Sequence, residues 1–294
     1  MRVVVTGAGG FVGRALMRAL AGHDVLAVDS RLHGAPGIGG DLCDPAVLDR
    51  AFEPGCDAVI HLATIPGGAA EADPALAKRV NLDATMALID AAARCGARPR
   101  FVFASSIAVL GEPPALVDDA APIAPRMLYG AHKAMMELWI EAHTRRGAVS
   151  GLSLRLPGIV ARPRGPSGLK SAFMSDLFHA LAAHEAIELP VSPEATMWLM
   201  SVERVAANLV YALAIAAEGS MTLPALRLTM AELVAEVALS TGADTRLVTY
   251  RRDPAIEAGF GRQPPLVTPR ADALGFAHDL TAAALVASAL TSLS

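Results

Sequence analysis

Arg2-Val-Val-Val-Thr6, running straight into Gly7-Ala-Gly-Gly-Phe-Val-Gly13, is the stretch from which the fold is read. Three consecutive valines make a short strand that is apolar on both faces, as in a sheet covered on both sides. The glycines then stand at the spacing GxxGxxG, where a first strand hands over to a first helix. Such glycines permit a tight turn, let backbone amides approach a pyrophosphate, and let the helix lie close to the sheet. Glycines alone also suit an ordinary flexible turn, so the rest of the chain must agree.

Val25–Asp29 reads as a second strand, and Asp29 follows the glycines by about 20 residues, where a carboxylate accepts both ribose hydroxyls of a dinucleotide. Its charge repels a 2′-phosphate and favours NAD over NADP, although Arg31 close by would suit a phosphate. Asp41-Leu42 lies in a Gly-rich loop, where it serves either an adenine edge or a turn and helix cap. Further apolar runs at 57–61, 100–104 and 151–156 alternate with helical patterns near 11–22, 45–52, 74–95 and 128–146. Continuous apolar strands separated by helices imply a parallel sheet. Beyond Pro157 the texture changes: a Pro/Gly loop spans Arg162–Gly168, and helical patterns recur near 171–184, 201–217 and 230–241. Residues 1–157, completed by about 198–225, are expected to form the nucleotide-binding domain. Residues 158–197 and 226–294 are expected to form a smaller substrate-binding lobe.

Composition bounds the partners. The 294 residues are 53% hydrophobic and 18% charged, enough for one large α/β unit with a smaller lobe. A formal net charge of -4 without basic blocks argues against nucleic acid or an anionic membrane. Cys43, Cys56 and Cys95 form no CxxC pair, which points to a reducing, cytoplasmic setting. The histidines show no metal-ligand spacing, so no metal is expected. The start has no signal-peptide-like apolar region, and stretches 205–217 and 282–290 fall short of the roughly 18 residues a membrane span needs. A soluble protein is expected.

Tyr129-Gly-Ala-His-Lys133 carries the strongest chemical signal. With three Tyr in the chain and Lys at positions 78, 133 and 170 alone, a chance Tyr-x-x-x-Lys arises with a probability of about 3%. Residues four apart share a helix face, so the ammonium can stand near the phenol. A free Tyr titrates near pH 10, and a neighbouring cation lowers that by roughly 1–3 units, toward a useful base. Ser105-Ser106 follows the fourth strand at the carboxyl edge of the sheet, where such sheets bind ligands. A hydroxyl there can orient a substrate oxygen, though serine after a strand is also a common turn residue.

Thr6-Gly-x-x-Gly-x-x-Gly13, Asp41-Leu42, His61-Leu-Ala-Thr64, Val80-Asn81, Ser105-Ser-Ile-Ala-Val-Leu-Gly111 and Tyr129-x-x-x-Lys133 together resemble the successive motifs of extended short-chain dehydrogenases. The resemblance implies a Rossmann-type, doubly wound parallel sheet. It implies Ser106, Tyr129 and Lys133 as the catalytic trio. It also implies a cofactor site lined by Gly7, Gly10, Phe11, Val12, Gly13, Asp29, Ser30, Asp41, Leu42, Leu62, Ala63, Thr64, Asn81, Ser105, Tyr129 and Lys133, with Pro157 and Ile159 beside the nicotinamide. Asn81 would alternatively tie its helix to a neighbouring strand.

The second half resembles the D-erythronate dehydrogenase family, through Leu154-Arg-Leu-Pro157, Arg162-Pro163, Pro190-Val-Ser-Pro193, Trp198-Leu-Met-Ser201, Asp253-Pro-Ala-Ile256 and Leu274-Gly-Phe276. That likeness implies oxidation of a small sugar acid at its 2-hydroxyl, with Ser106, Arg162, Ser171 and Trp198 on the substrate. Thr196 departs from the pattern, since Arg is expected there. Arg162 then remains a carboxylate partner, suited to bidentate pairing, while Arg164 and Lys170 read as solvated loop cations. Two alternatives stay open: a nucleotide-sugar epimerase or dehydratase, disfavoured because Met197 replaces that group's sugar-diphosphate Arg, and a dinucleotide-binding sensor without catalysis. A homodimer through the helices near 74–95 and 128–146 completes the expectations.

Overall fold

A computed structural model describes residues 1–96, 98–165 and 170–293. Positions 166–168 of the expected Arg162–Gly168 loop lie outside the described residues. In chain order the strands are β1 Arg2–Thr6, β2 Asp24–Asp29, β3 Ile38–Gly39, β4 Ala58–His61, β5 Arg100–Ser106, β6 Ser150–Leu156, β7 Gly158–Val160, β8 Ile187–Leu189, β9 Thr196–Ser201, β10 Gly219–Thr222, β11 Leu226–Thr229 and β12 Val248–Tyr250. The chain divides into two compact units. Unit 1 holds 1–111, 123–156 and 206–222; unit 2 holds 112–122, 157–205 and 223–294.

Unit 1 is an α/β body around one seven-stranded sheet in the order β10-β6-β5-β4-β1-β2-β3. Every pairing in it is parallel. The strand order runs outward from β1 in both directions, which is the doubly wound arrangement. Val3, Val4 and Val5 of β1 and Ala58, Val59 and Ile60 of β4 are wholly buried, as strands covered on both faces must be. The helices begin where their sequences say. Asp44 accepts from the Ala46 N–H at 3.0 Å and, with Pro45 at the first turn, starts the Pro45–Phe52 helix. Val47, Leu48, Ala51 and Phe52 then bury one face of that helix against Val28, Ile38 and Val59.

The single helix expected over 74–95 is interrupted. Pro74–Lys78 and Ala84–Arg94 are α-helical, but Arg79–Asp83 between them is a widened π turn. The reason is the Asn81 side chain. It accepts from the Ile65 N–H at 2.7 Å and donates to the Ile65 carbonyl at 2.9 Å, so the chain bulges to keep both bonds. The amide thus acts as a substitute strand partner for the segment leaving β4.

Unit 2 has its own core. A three-stranded sheet, β11-β9-β7, packs with the helices Phe173–Ala182, Met230–Thr241 and Ala282–Thr291. Leu177, Phe178, Leu181, Met197, Leu199, Leu233 and Val237 are buried in it. The Met230–Thr241 helix opens with a reciprocal cap between Thr229 and Glu232 and ends at Gly242, whose φ of 70° lies in the left-handed region. A second pair of strands, β8 and β12, runs parallel.

Candidate active site

The glycine turn is shaped by close backbone approach. Gly7 has φ +73°, and a Cβ there would lie 2.6 Å from the Ala63 nitrogen. A Cβ on Gly13 would lie 2.1 Å from the Gly7 carbonyl oxygen. Only glycine lets β1, the turn and the Phe11–Ala19 helix pack this tightly. Gly10 caps that helix with no side-chain hydrogen bond, so the first amides, with Phe11 and Val12 in the first turn, present the positive end of the helix. This is the donor set a pyrophosphate fits. Asp29 closes β2, and its Oδ2 accepts from the Gly9 N–H at 2.9 Å while Oδ1 accepts from the Arg31 N–H at 2.8 Å. Ser30 donates weakly to the same carboxylate at 3.4 Å. The carboxylate is therefore fixed beside the glycine turn.

Asp41 is exposed and accepts from the Cys43 N–H at 2.9 Å, which holds its carboxyl below the usual range; Arg79 lies 3.4 Å away. Leu42 is buried in the core beside it. At the end of β4, His61 is sealed between two hydroxyls, with Nδ1 2.6 Å from Thr6 Oγ1 and Nε2 2.9 Å from Thr85 Oγ1. Burial, with the Lys133 charge second, pushes its pKa down to about 3, so the ring is neutral and structural. Leu62 donates to the Thr6 carbonyl at 3.1 Å, Ala63 approaches Gly7, and Thr64 donates to Asn81 Oδ1 at 3.0 Å. Asn81 Nδ2 also lies 3.5 Å from His132 Nδ1, linking this segment to the long helix.

The long helix, Leu128–Arg145, carries Tyr129 in its first turn. A residue whose role the sequence did not suggest brings it close. A Cβ on Gly130 would lie 2.3 Å from the Ala108 carbonyl oxygen, so the helix start presses on the turn that follows Ser106. Ser106 caps that turn, its Oγ accepting from the Ala108 N–H at 3.1 Å. Lys133 is buried. Its Nζ donates to the Ala104 carbonyl at 2.7 Å and sits 4.4 Å from the Phe103 ring centre and 5.6 Å from that of Tyr129. Burial lowers its pKa to about 7, and Glu137 acts in the opposite direction. Ser105 turns to the opposite strand face from Ser106 and donates to Glu137 Oε1 at 2.5 Å. Unit 1 thus brings together the glycine turn with Asp29, Thr64 with Asn81, and Tyr129 with Lys133 and the end of β5.

The remaining candidates belong to unit 2. Pro157 precedes β7, and Ile159 is buried within it. Arg162 is anchored through its backbone, donating from N–H to Ser175 Oγ at 3.0 Å while its carbonyl lies 2.7 Å from His179 Nε2. The Ser171 carbonyl accepts from the Met174 N–H at 3.2 Å at the start of the Phe173–Ala182 helix. Trp198 is buried, with its indole N–H donated to the Pro264 carbonyl at 2.8 Å. Thr196 donates to the Gln263 carbonyl at 2.8 Å, so the 263–264 segment is laced along β9. Met197 is wholly buried. Arg164 pairs with Glu185 at 3.0 Å, and Lys170 is exposed. Among the described residues no group of three His, Cys, Asp or Glu could hold a metal ion, and no helix is long and apolar enough to cross a membrane.

A doubly wound sheet, a glycine turn at its first crossover and a Tyr-x-x-x-Lys helix define a dinucleotide-dependent enzyme. The chain belongs to the NAD dependent epimerase/dehydratase family, whose sequence model matches residues 3–221. It is an NAD-dependent oxidoreductase of the extended short-chain dehydrogenase type, and NAD is its cofactor. It is 38% identical to a D-erythronate dehydrogenase of Cupriavidus necator, across 95% of this chain and 94% of that protein. It is 34% identical to a D-erythronate dehydrogenase of Haemophilus influenzae, across 72% of each. Among solved structures it superposes on a nucleoside-diphosphate-sugar epimerase from Agrobacterium tumefaciens with a TM-score of 0.86 and 28% identity, covering 97% of this chain and 92% of that one.

Proposed function

We propose that this enzyme oxidises the 2-hydroxyl of a small sugar acid, D-erythronate above all, to give 2-dehydro-D-erythronate. The observation that carries the reading is the near-full-length kinship with the Cupriavidus D-erythronate dehydrogenase, which extends through unit 2 as well as unit 1.

In this reading Tyr129 is the general base. A free phenol titrates near pH 10, and a cation close by favours the phenolate. Lys133, with Nζ 5.6 Å from the ring centre, is that cation. Ser106 holds the substrate oxygen: its Oγ accepts from the Ala108 N–H, which fixes the rotamer and leaves the hydroxyl proton to be donated. The chemistry that bound NAD would supply here is acceptance of a hydride from the carbon that bears this hydroxyl. Gly7, Gly10 and Gly13 hold the pyrophosphate in this reading, Asp29 the ribose hydroxyls, and the buried wall around Lys133 and Phe103 keeps water from the proton transfer. Arg162, Ser171 and Trp198 are proposed for the substrate side. Trp198 acts through its grip on Pro264.

The same reading includes a homodimer. Met135, Leu138 and Trp139 form an exposed apolar stripe on the long helix, at 48%, 61% and 41% exposure, that a second copy would cover. The same reading places the protein in the cytoplasm, since its three cysteines form no CxxC pair and no even-numbered framework.

A second reading, a nucleotide-sugar epimerase, is favoured by the likeness to the Agrobacterium structure. One experiment separates them. Purified protein is given NAD and a panel of four- to six-carbon sugar acids, then UDP-sugars, with reduced nicotinamide followed by absorbance and products by mass spectrometry. NAD reduction with D-erythronate is expected. Turnover of a UDP-sugar with no reduction on any acid would replace this reading.

A further inference from the structure

Beneath the Tyr129 and Lys133 pair lies a buried polar cluster that the mechanism above leaves unused. Glu137 sits one helical turn beyond Lys133 on the same face of the long helix. Ser105 on β5 and Arg155 on β6 are paired in register, so their side chains rise from one face of the sheet toward it. Arg155 holds the carboxylate with Nε 3.0 Å from Oε1 and Nη2 2.8 Å from Oε2, and Ser105 donates to Oε1 at 2.5 Å. Side-chain exposure is 9% for Arg155 and 1% for Glu137.

Burying such a pair is costly, and two apolar side chains would join helix to sheet at least as well. What the pair adds is a fixed dipole whose negative end, the Glu137 carboxylate, lies one turn from the Lys133 ammonium while its positive end, Arg155, stands behind it. The titratable groups around Lys133 are Tyr129 and Glu137 on its own helix and His61 on β4, with Arg155 on β6 and Ser105 on β5 both bonded to Glu137. His61 is sealed and neutral, and Ser105 is uncharged. Glu137 is therefore the anion of this group.

We propose that Glu137, locked by Arg155 and Ser105, is a positioning residue that keeps Lys133 charged beside Tyr129 and so sets the lower pH limit of turnover. The inference rests on the assignment of Tyr129 as base. Even with Glu137 present, burial leaves the amine titrating at about 7. Without that charge the amine is neutral at working pH, the phenol loses its cation, and the proton leaves only in more alkaline solution.

The test is the pH profile of kcat/KM with NAD and D-erythronate for the whole protein. E137Q should move the acidic limb upward by about one pH unit, a roughly tenfold loss at neutral pH that is regained at the alkaline end. E137D, which keeps the charge, should keep the parent limb even if its Tm falls. Should E137Q fold poorly, E137L/R155L replaces the whole pair by apolar side chains and should still move the limb upward, by less than E137Q, because the opposing Arg155 charge leaves with the carboxylate. A lowered Tm with an unmoved limb in both would make the cluster merely structural and overturn the proposal. Y129F measured alongside separates the two layers. If it turns over like the parent, the base assignment falls; if it is inactive and the E137Q limb is unmoved, only the role of Glu137 falls.

Discussion

Gly13→Ala tests the glycine turn with one methyl group. The added Cβ would lie 2.1 Å from the Gly7 oxygen and 2.6 Å from the Ala8 oxygen, both backbone atoms. Ordinary contact begins near 3.4 Å, so the Gly7 carbonyl must retreat by about 1.3 Å. That carbonyl also accepts from the Gly10 N–H at 3.1 Å, the bond that sets the start of the Phe11–Ala19 helix. Relief therefore displaces the amides proposed to hold the pyrophosphate. Overpacking of this kind costs about 1–3 kcal/mol, and misplacing a positioned group by an ångström can cost about 10²-fold in rate, so G13A should lose stability, NAD affinity and turnover together. The assay pairs thermal unfolding with calorimetric titration of NAD. Gly39→Ala is the control, because no atom lies within 4 Å of its added Cβ. Parent-like NAD affinity in G13A would refute the placement of the dinucleotide on this turn.

Further outcomes follow from neighbouring groups. Asp29, fixed by the Gly9 and Arg31 amides, should make NAD bind more tightly than NADP, and Asp29→Ser should erase the preference; tighter NADP binding by the parent in a side-by-side titration would show that Arg31 dominates. His61 stays neutral in the folded chain down to about 3, while the unfolded chain takes up its proton below about pH 6.5. The unfolded state then binds more protons, so stability rises with pH across that window and about 1.6 kcal/mol is lost between pH 6.5 and 5. His61→Gln should flatten that slope in urea unfolding, and an unchanged slope would contradict the assignment. Leu138→Glu, at the centre of the exposed stripe, should halve the mass seen by light scattering; a parent that is already monomeric at micromolar concentration would defeat the dimer.

The parallel sheet was legible because its signal is local. The valines of β1 and the apolar run of β4 are buried on both faces, and a strand of that kind needs no distant partner to be recognised. The widened turn at Arg79–Asp83 was not legible, because its cause is a side chain bonding a backbone 16 residues away. The same holds for Glu137 and Arg155, 18 residues apart, which meet only once β5 and β6 pair in register beneath the helix. Glu137 did leave a trace: an acid four residues beyond Lys133 shares its helix face. Gly130 stood in plain view inside the Tyr-x-x-x-Lys motif, yet its reason is a contact with the Ala108 carbonyl. In unit 2 the strands β7, β8 and β12 have three residues each, too few for a periodicity to register. Trp198 illustrates the limit for the substrate side, since its hydrogen bond to Pro264 spans 66 residues.

The most direct test of the central claim compares Tyr129→Phe with the parent in two numbers, kcat on D-erythronate and affinity for NAD. Removing a base whose interaction strengthens only as the proton moves should harm turnover and spare cofactor binding. General-base assistance is worth about 10²–10⁴-fold, so kcat should fall by at least that much while NAD affinity stays at the parent value. Lys133→Met, measured in the same way, should lower both, because in this account it touches cofactor and base alike. A Tyr129→Phe enzyme that oxidised the sugar acid at near-parent rates would contradict the account.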